Sequence, residues 1–247
     1  MGIRRGEITT DIVKNGLVFN MDPANRASYV PNATTSFNTI DLSQSGTLEN
    51  GVAFIQPPIS SSCWDLDGTD DYIDCGTNSS ILGNVNFTVS SWLNTDSHST
   101  YGLAFFVGDA AVRESTWVGY CANASGAGSS NSIGGGLYGV NMGSGINSGT
   151  GWHCVALTYD TTILRLYVDG VQTTTLSESS ANIQNDKIRF GRTDSGTGYY
   201  YNGNIGPSQI YNRTLSAEEV LRNYNGLKGR FGLWEWVLLL RILLRMG

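Results

Sequence analysis

Charge and histidine are the scarce ingredients of this chain. Asp, Glu, Lys and Arg make up 15% of its 247 residues, against roughly 25% in an ordinary soluble domain, so Ser, Thr, Asn and Tyr must cover much of the surface. The net charge of −6 suits solubility and argues against a nucleic-acid partner, which needs a clustered basic face. Only two histidines occur, His98 and His153, too little material for a nucleophilic triad. His153, inside a strand pattern, reads as a packed or interfacial residue rather than a base. The four cysteines, Cys63, Cys75, Cys121 and Cys154, stand singly, without the short paired spacing of a zinc site or a redox motif. They are expected to be free, buried thiols, with a Cys63 to Cys75 bridge formed outside the cell as the alternative. Met1 to Glu7 is polar and lacks an apolar stretch with a small-residue cleavage site, so no signal peptide is expected and synthesis takes place in a cytoplasm.

Glycine is abundant instead, with 31 residues, amid long runs of Ser, Thr and Asn, which indicate many turns and few long helices. The length fits one all-β unit. Residues 1–15 read as an N-terminal arm, 16–233 as a β-sandwich and 234–247 as an apolar tail. Gly16 to Asp22 is an opening strand ended by Pro23, and 24–62 is a surface connection with short strands. From Trp64 the pattern is regular. Phe87, Val89, Ser91 and Leu93 fall on one face of a strand and Thr88, Ser90 and Trp92 on the other, the period of two that strands require. Leu103 to Val107 and Thr116 to Cys121 need burial on both faces. In the Gly/Ser-rich stretch 122–150, Ile133, Leu137, Tyr138 and Val140 mark a strand between two long loops. Val155, Leu157 and Tyr159, then Leu164, Leu166 and Val168, alternate along a hairpin that turns at 160–162. Lys187 to Gly191 and Ile205 to Tyr211 complete the strands. Ser216 with Glu219 three residues on is a capping box opening a short helix through Tyr224. Two antiparallel sheets with one closing helix follow.

Three segments, Trp64 to Gly76, Trp152 to Gly170 and Gly203 to Glu219, resemble in that order the concanavalin A-like lectin/glucanase superfamily in its laminin-G-like branch. The resemblance spans roughly residues 16–230 and implies an all-β, two-sheet antiparallel jelly-roll sandwich used for recognition. The start, Asn15 to Tyr29, and the end, Asn223 to Leu233, look like a subgroup from tailed bacteriophages in which the domain sits in outward-projecting virion parts. What this implies is a non-catalytic virion surface protein made in the host cytoplasm: a head fibre, decoration protein or tail fibre, as a homo-oligomer or in many copies. Its partners would be a host-surface glycan or neighbouring virion proteins. A purely structural decoration or assembly protein without sugar binding and a glycan-degrading enzyme are the alternatives. The enzyme would need two carboxylates about 5 to 9 Å apart across a cleft. No Glu-x-Asp-x-x-Glu run appears, and the spacing-two pair Asp65 and Asp67 lies in a turn motif, so no catalytic residue is expected.

Two sets of candidate site residues emerge. Asp65, Asp67, Asp70, Asp71 and Asp74 form an acidic cluster. A hard cation such as Ca²⁺ takes about 6 to 8 oxygens, so Asp67, Asp70, Asp71 and Asp74 are candidate metal ligands. The competing reading is a tight turn at Asp67-Gly68 and Thr69-Asp70 whose side chains bond their own backbone. The spacing is not an EF-hand loop, and Gly206 to Gln209 has no carboxylate where many laminin-G-like relatives carry an acidic pair. For sugar, an exposed aromatic face flanked by amides is required. Trp117 with Tyr120, and Tyr199, Tyr200 and Tyr201 with Asn202, are the candidates, and three consecutive tyrosines on a strand send at least one to each face. Such aromatics serve protein contacts or ordinary packing equally well.

The tail, Trp234 to Gly247, is strongly apolar yet too short to span a bilayer, which needs about 20 residues, so a membrane partner is not expected. With Arg241 and Arg245 at helical spacing it would carry a cationic stripe on an apolar helix. A protein contact is the favoured reading of this segment, with packing back on the sandwich, lying on a membrane surface and an extension without function as the alternatives.

Overall fold

The computed structural model describes residues 12–56, 61–77, 79–96, 101–147, 149, 151–185, 187–194 and 198–233. The tail at 234–247, most of the N-terminal arm, and His98 lie outside the described residues. In chain order the strands are β1 (Leu17–Met21), β2 (Thr35–Phe37), β3 (Ser45–Glu49), β4 (Ala53–Ile55), β5 (Cys63–Asp67), β6 (Tyr72–Thr77), β7 (Phe87–Thr95), β8 (Gly102–Gly108) and β9 (Ser115–Cys121). They continue as β10 (Ala127–Ser129), β11 (Ser132–Leu137), β12 (Val140–Ser144), β13 (Trp152–Tyr159), β14 (Ile163–Val168), β15 (Val171–Ser177), β16 (Lys187–Phe190) and β17 (Asn202–Tyr211), followed by helix α1 (Ala217–Leu227).

Two sheets form the sandwich. The first runs β15-β14-β13-β7-β17-β5-β4, with β1 added beside β17. β17 changes neighbours along its length: Asn202 to Ile205 pair with β5, and Ser208 to Tyr211 pair with β1. The second runs β10-β12-β11-β9-β8-β16-β6-β3-β2. Pairing is antiparallel except at one edge, where β10 lies parallel to β12, a departure from the purely antiparallel expectation.

The alternation in the strands decides what each layer buries. Val89, Leu93, Val155, Leu157, Leu166 and Ile205 from the first sheet meet Ile73, Phe105, Val118, Ile188 and Phe190 from the second in one core. The other face of the first sheet is covered too. Trp92 stacks on Phe231 at 4.2 Å and on Tyr224 at 5.7 Å, while Ala156, Tyr167 and Tyr211 pack under Leu215 and Val220. Helix α1 is started as the sequence predicts: the Ser216 side chain accepts from the Glu219 N–H, and Glu219 accepts from the Ser216 N–H. It runs past Tyr224 to Leu227 and continues as a 3-10 turn to Phe231, ending where Gly232 takes φ 73°. All four cysteines are buried, free thiols.

Candidate functional site

Among the described residues no helix lies over the outer face of the second sheet, yet β8 and β9 are buried throughout. Loops supply the cover. Leu103, Phe106, Trp117 and Cys121 point outward, and Tyr101, Tyr138 and Tyr199 fold over them. A pocket of about 230 Å³ opens in this cover, lined by Tyr101, Leu103, Trp117, Tyr138, Gly139, Asn141 and Tyr199. Trp117 forms its floor, with Tyr101 edge-on at 6.1 Å. Tyr199 meets the Tyr101 ring at 5.6 Å and the Tyr138 ring at 6.4 Å, both edge to face. The Tyr101 hydroxyl donates to the Asn123 carbonyl at 2.6 Å and accepts from the Asn141 amide at 3.0 Å. Burial pushes the Tyr101 and Tyr138 phenols up, so both stay neutral donors.

Tyr199 is held at φ 61°, a left-handed conformation that costs a side-chain-bearing residue on the order of 1–3 kcal/mol. Its carbonyl accepts from the Leu103 N–H at 3.1 Å, which fixes the strained residue to the sheet edge. Strain held by the surroundings at a pocket wall points from geometry toward use.

The predicted aromatic residues separate. Trp117 and Tyr199 come together in the pocket. Trp117 is buried, 2% exposed, with its indole N–H toward the Leu137 carbonyl at 3.4 Å, so it offers a floor and not the open stacking platform expected. Tyr120 is also buried and, three residues along the same strand, projects from the opposite face. Tyr199, Tyr200 and Tyr201 precede β17 and are not in a strand. Tyr200 is half-buried outside the pocket. Tyr201 is wholly buried in the sandwich, its hydroxyl sharing a hydrogen bond with Thr95 at 2.7 Å; burial raises its phenol far above the ordinary range. Asn202 starts β17 opposite Asp67 and belongs to the acidic turn. Tyr101, Tyr138 and Asn141 were not predicted as site residues. The available signal was Tyr101 beside a polar stretch and Tyr138 in the Gly/Ser-rich stretch, where it was read only as the mark of a strand.

The acidic cluster also divides. Carboxylate oxygens of Asp67, Asp70 and Asp71 lie within 4.8 Å of one another. The turn reading describes their hydrogen bonds: Asp67 accepts from the Thr69 N–H at 2.8 Å and Asp71 from the Asp67 N–H at 3.1 Å, with Gly68 at φ 75°. The Thr69 N–H holds the Asp67 carboxyl below the usual range, while burial raises Asp71. Three converging carboxylates fit part of a Ca²⁺ shell, which would need further oxygens to reach about 6 to 8. Asp74 is a correction to the predicted ligand set. It sits opposite Arg189 in the β6 and β16 register and pairs with it at 2.5 Å, on the outer face and not with the triad.

One carboxyl pair escaped the sequence reading altogether. Asp194, after β16, hydrogen-bonds to Asp109, after β8, and also accepts from the Ala110 N–H at 2.7 Å. Burial first, then that shared bond, raises the Asp194 carboxyl.

A two-sheet jelly roll with an aromatic pocket on one outer face defines a lectin-like sandwich. A family profile described as the concanavalin A-like lectin/glucanases superfamily, of laminin-G type, matches residues 67–221, more than half of the chain, and the chain belongs to that family. Sequence comparison with curated proteins gives no match. Among solved structures, the chain is similar to domain 4 of an extracellular arabinanase from Geobacillus stearothermophilus in complex with arabinotriose, with 16% identity and a TM-score of 0.60, over 84% of this chain and 98% of that one. It is also similar to the ligand-binding domain of botulinum neurotoxin serotype D in complex with N-acetylneuraminic acid, with 14% identity and a TM-score of 0.56, over 85% of this chain and 51% of that one. The Trypanosoma rangeli sialidase in complex with sialic acid follows at 15% identity and a TM-score of 0.57, over 85% of this chain and 32% of that one. The chain thus spans about half of the toxin domain and about a third of the sialidase. Among the described residues no helix is long and apolar enough to cross a membrane.

Proposed function

We propose that this protein is a non-catalytic carbohydrate-binding sandwich, displayed in many copies on a phage virion and used for attachment to host-surface glycan. The observation that carries the sugar reading is Tyr199, held in a strained conformation so that its ring closes a pocket floored by Trp117 and edged by the Asn141 amide. Aromatic walls take the apolar face of a sugar ring, and phenol and amide groups take its hydroxyls. Sugar-complexed structures with the same fold support it. The virion setting rests on the likeness of Asn15 to Tyr29 and Asn223 to Leu233 to phage proteins. A single small pocket binds weakly, and many copies on one particle raise avidity by about 10² to 10⁴. Ca²⁺ held by Asp67, Asp70 and Asp71 is part of the same reading.

The test is a glycan array probed with multimerised protein in Ca²⁺, alongside intact host cells. The expected result is selective binding that falls at least tenfold in Trp117→Ala while the circular dichroism spectrum stays native-like. Silence on both array and cells would sink the attachment reading and move the weight to a purely structural virion role.

A further inference from the structure

Resting on the carbohydrate reading, we infer that the aromatic pocket takes one uncharged sugar ring and turns acidic sugars away. Size sets the first half. At about 230 Å³ the pocket lies below the roughly 300–1,000 Å³ that encloses a drug-sized ligand, so it has room for a single ring and leaves the rest of a chain outside.

Charge sets the second half. The pocket lining is aromatic, aliphatic or amide, and among the described residues no cation or carboxylate is part of it. Its phenols at Tyr101 and Tyr138 are held neutral by burial. Among the described residues, cations on neighbouring elements are engaged elsewhere: Arg113 with Glu178 at 2.9 Å, Lys187 with Asp194 at 4.0 Å, Arg189 with Asp74, and Arg192 over the Tyr72 ring at 3.6 Å. A sugar carboxylate entering here would shed water without gaining a cation, and a buried ion without a counter-charge is strongly disfavoured. A neutral ring meets no such obstacle. Its C–H face lies on aromatic carbon, and its hydroxyls donate to the Asn141 side-chain carbonyl and to the remaining lone pair of the Tyr101 oxygen, whose own O–H is held by the Asn123 carbonyl.

The experiment uses the full chain, multimerised, against matched glycans of equal length that differ only in the terminal residue: galactose, N-acetylglucosamine or arabinose on one side, sialic acid or glucuronic acid on the other. Binding to a neutral terminus at least tenfold above every acidic counterpart is expected. The signal should drop at least tenfold in Tyr199→Gly, which removes the ring yet suits the positive φ. Asn141→Ala is the second variant, so that the result does not depend on one protein folding. Preference for acidic termini that is lost in these variants overturns the selectivity and leaves the glycan reading standing. Binding indifferent to both variants overturns the assignment to this pocket. Binding to neither set overturns the glycan reading itself.

Discussion

At Asp194 opposing influences meet on one carboxyl. Burial and the bond to Asp109 raise its pKa, while the Ala110 N–H at 2.7 Å and Lys187 at 4.0 Å favour the charged form, and the raising causes win. The folded protein therefore holds this proton more tightly than the unfolded chain. The stability that follows is fully present below the unfolded value of about 3.9 and is lost as pH rises through the folded pKa. Asp194→Asn keeps a neutral group in place. Its melting temperature is expected to exceed that of the parent at pH 7, with the gap closing toward pH 4; a gap constant with pH would remove Asp194 as the titrating group. Nothing in the sequence marked this pair, because Asp109 and Asp194 belong to no motif and meet only through the β8 and β16 pairing. Tyr199 was legible as a residue type and illegible as a place. A strand assumption for the three tyrosines fails once Tyr199 takes φ 61°, since the alternation rule holds only for extended backbone.

The elements themselves were largely written in the sequence, because strand period and helix capping are local. Helix α1 shows where local rules stop. Asn225-Gly226 reads as a helix end, yet the helix continues because Leu227 and Phe231 bury against Trp92 and Cys154 on the sheet, a packing gain that no local pattern displays. Its start depends on Glu219, which accepts from the Ser216 N–H at 3.0 Å and from both terminal nitrogens of Arg213 at 2.7 Å. The Arg213 bonds are the main cause that lowers the Glu219 carboxyl to about 2. Both side chains are partly exposed, at 26% and 32%, so solvent screening limits the pair to about 1 kcal/mol. Glu219→Gln keeps a cap and loses the ion pair. It is expected to lower the melting temperature at pH 7 by about 2–4 °C. Because the folded pKa is depressed, the paired state stabilises above the unfolded value of 4.5 and is lost as pH falls toward about 2, so the difference should vanish in acid. A difference that persists at pH 2 would assign the loss to the cap instead.

Across the whole molecule, residues 191–194 and 198–202 stand between the two candidate sites. At the start, Gly191 packs so closely on the acidic turn that a Cβ there would stand 2.8 Å from the Asp71 carbonyl oxygen. At the end, Asn202 packs on Gly68, where an added Cβ would come within 2.7 Å. Between them, Tyr199 closes the aromatic pocket, and the Tyr201 N–H returns to the Gly191 carbonyl at 2.8 Å. Gly191 and Asn202, on either side of Tyr199 in the chain, thus both pack against the turn formed by Asp67, Asp70 and Asp71. If that turn takes Ca²⁺, the ion removes carboxylate repulsion there, stiffens the anchors and lowers the entropy lost when a sugar orders the pocket. Ca²⁺ at a hundredfold excess over its dissociation constant stabilises by about 2.7 kcal/mol, or roughly 5–10 °C in melting temperature for a chain of this size. Chelation is expected to lower the melting temperature and the sugar affinity together, and Asp70→Asn with Asp71→Asn to abolish both responses. Melting that ignores chelator would dismiss the ion, and melting that responds while sugar affinity does not would break the coupling through Gly191 and Asn202.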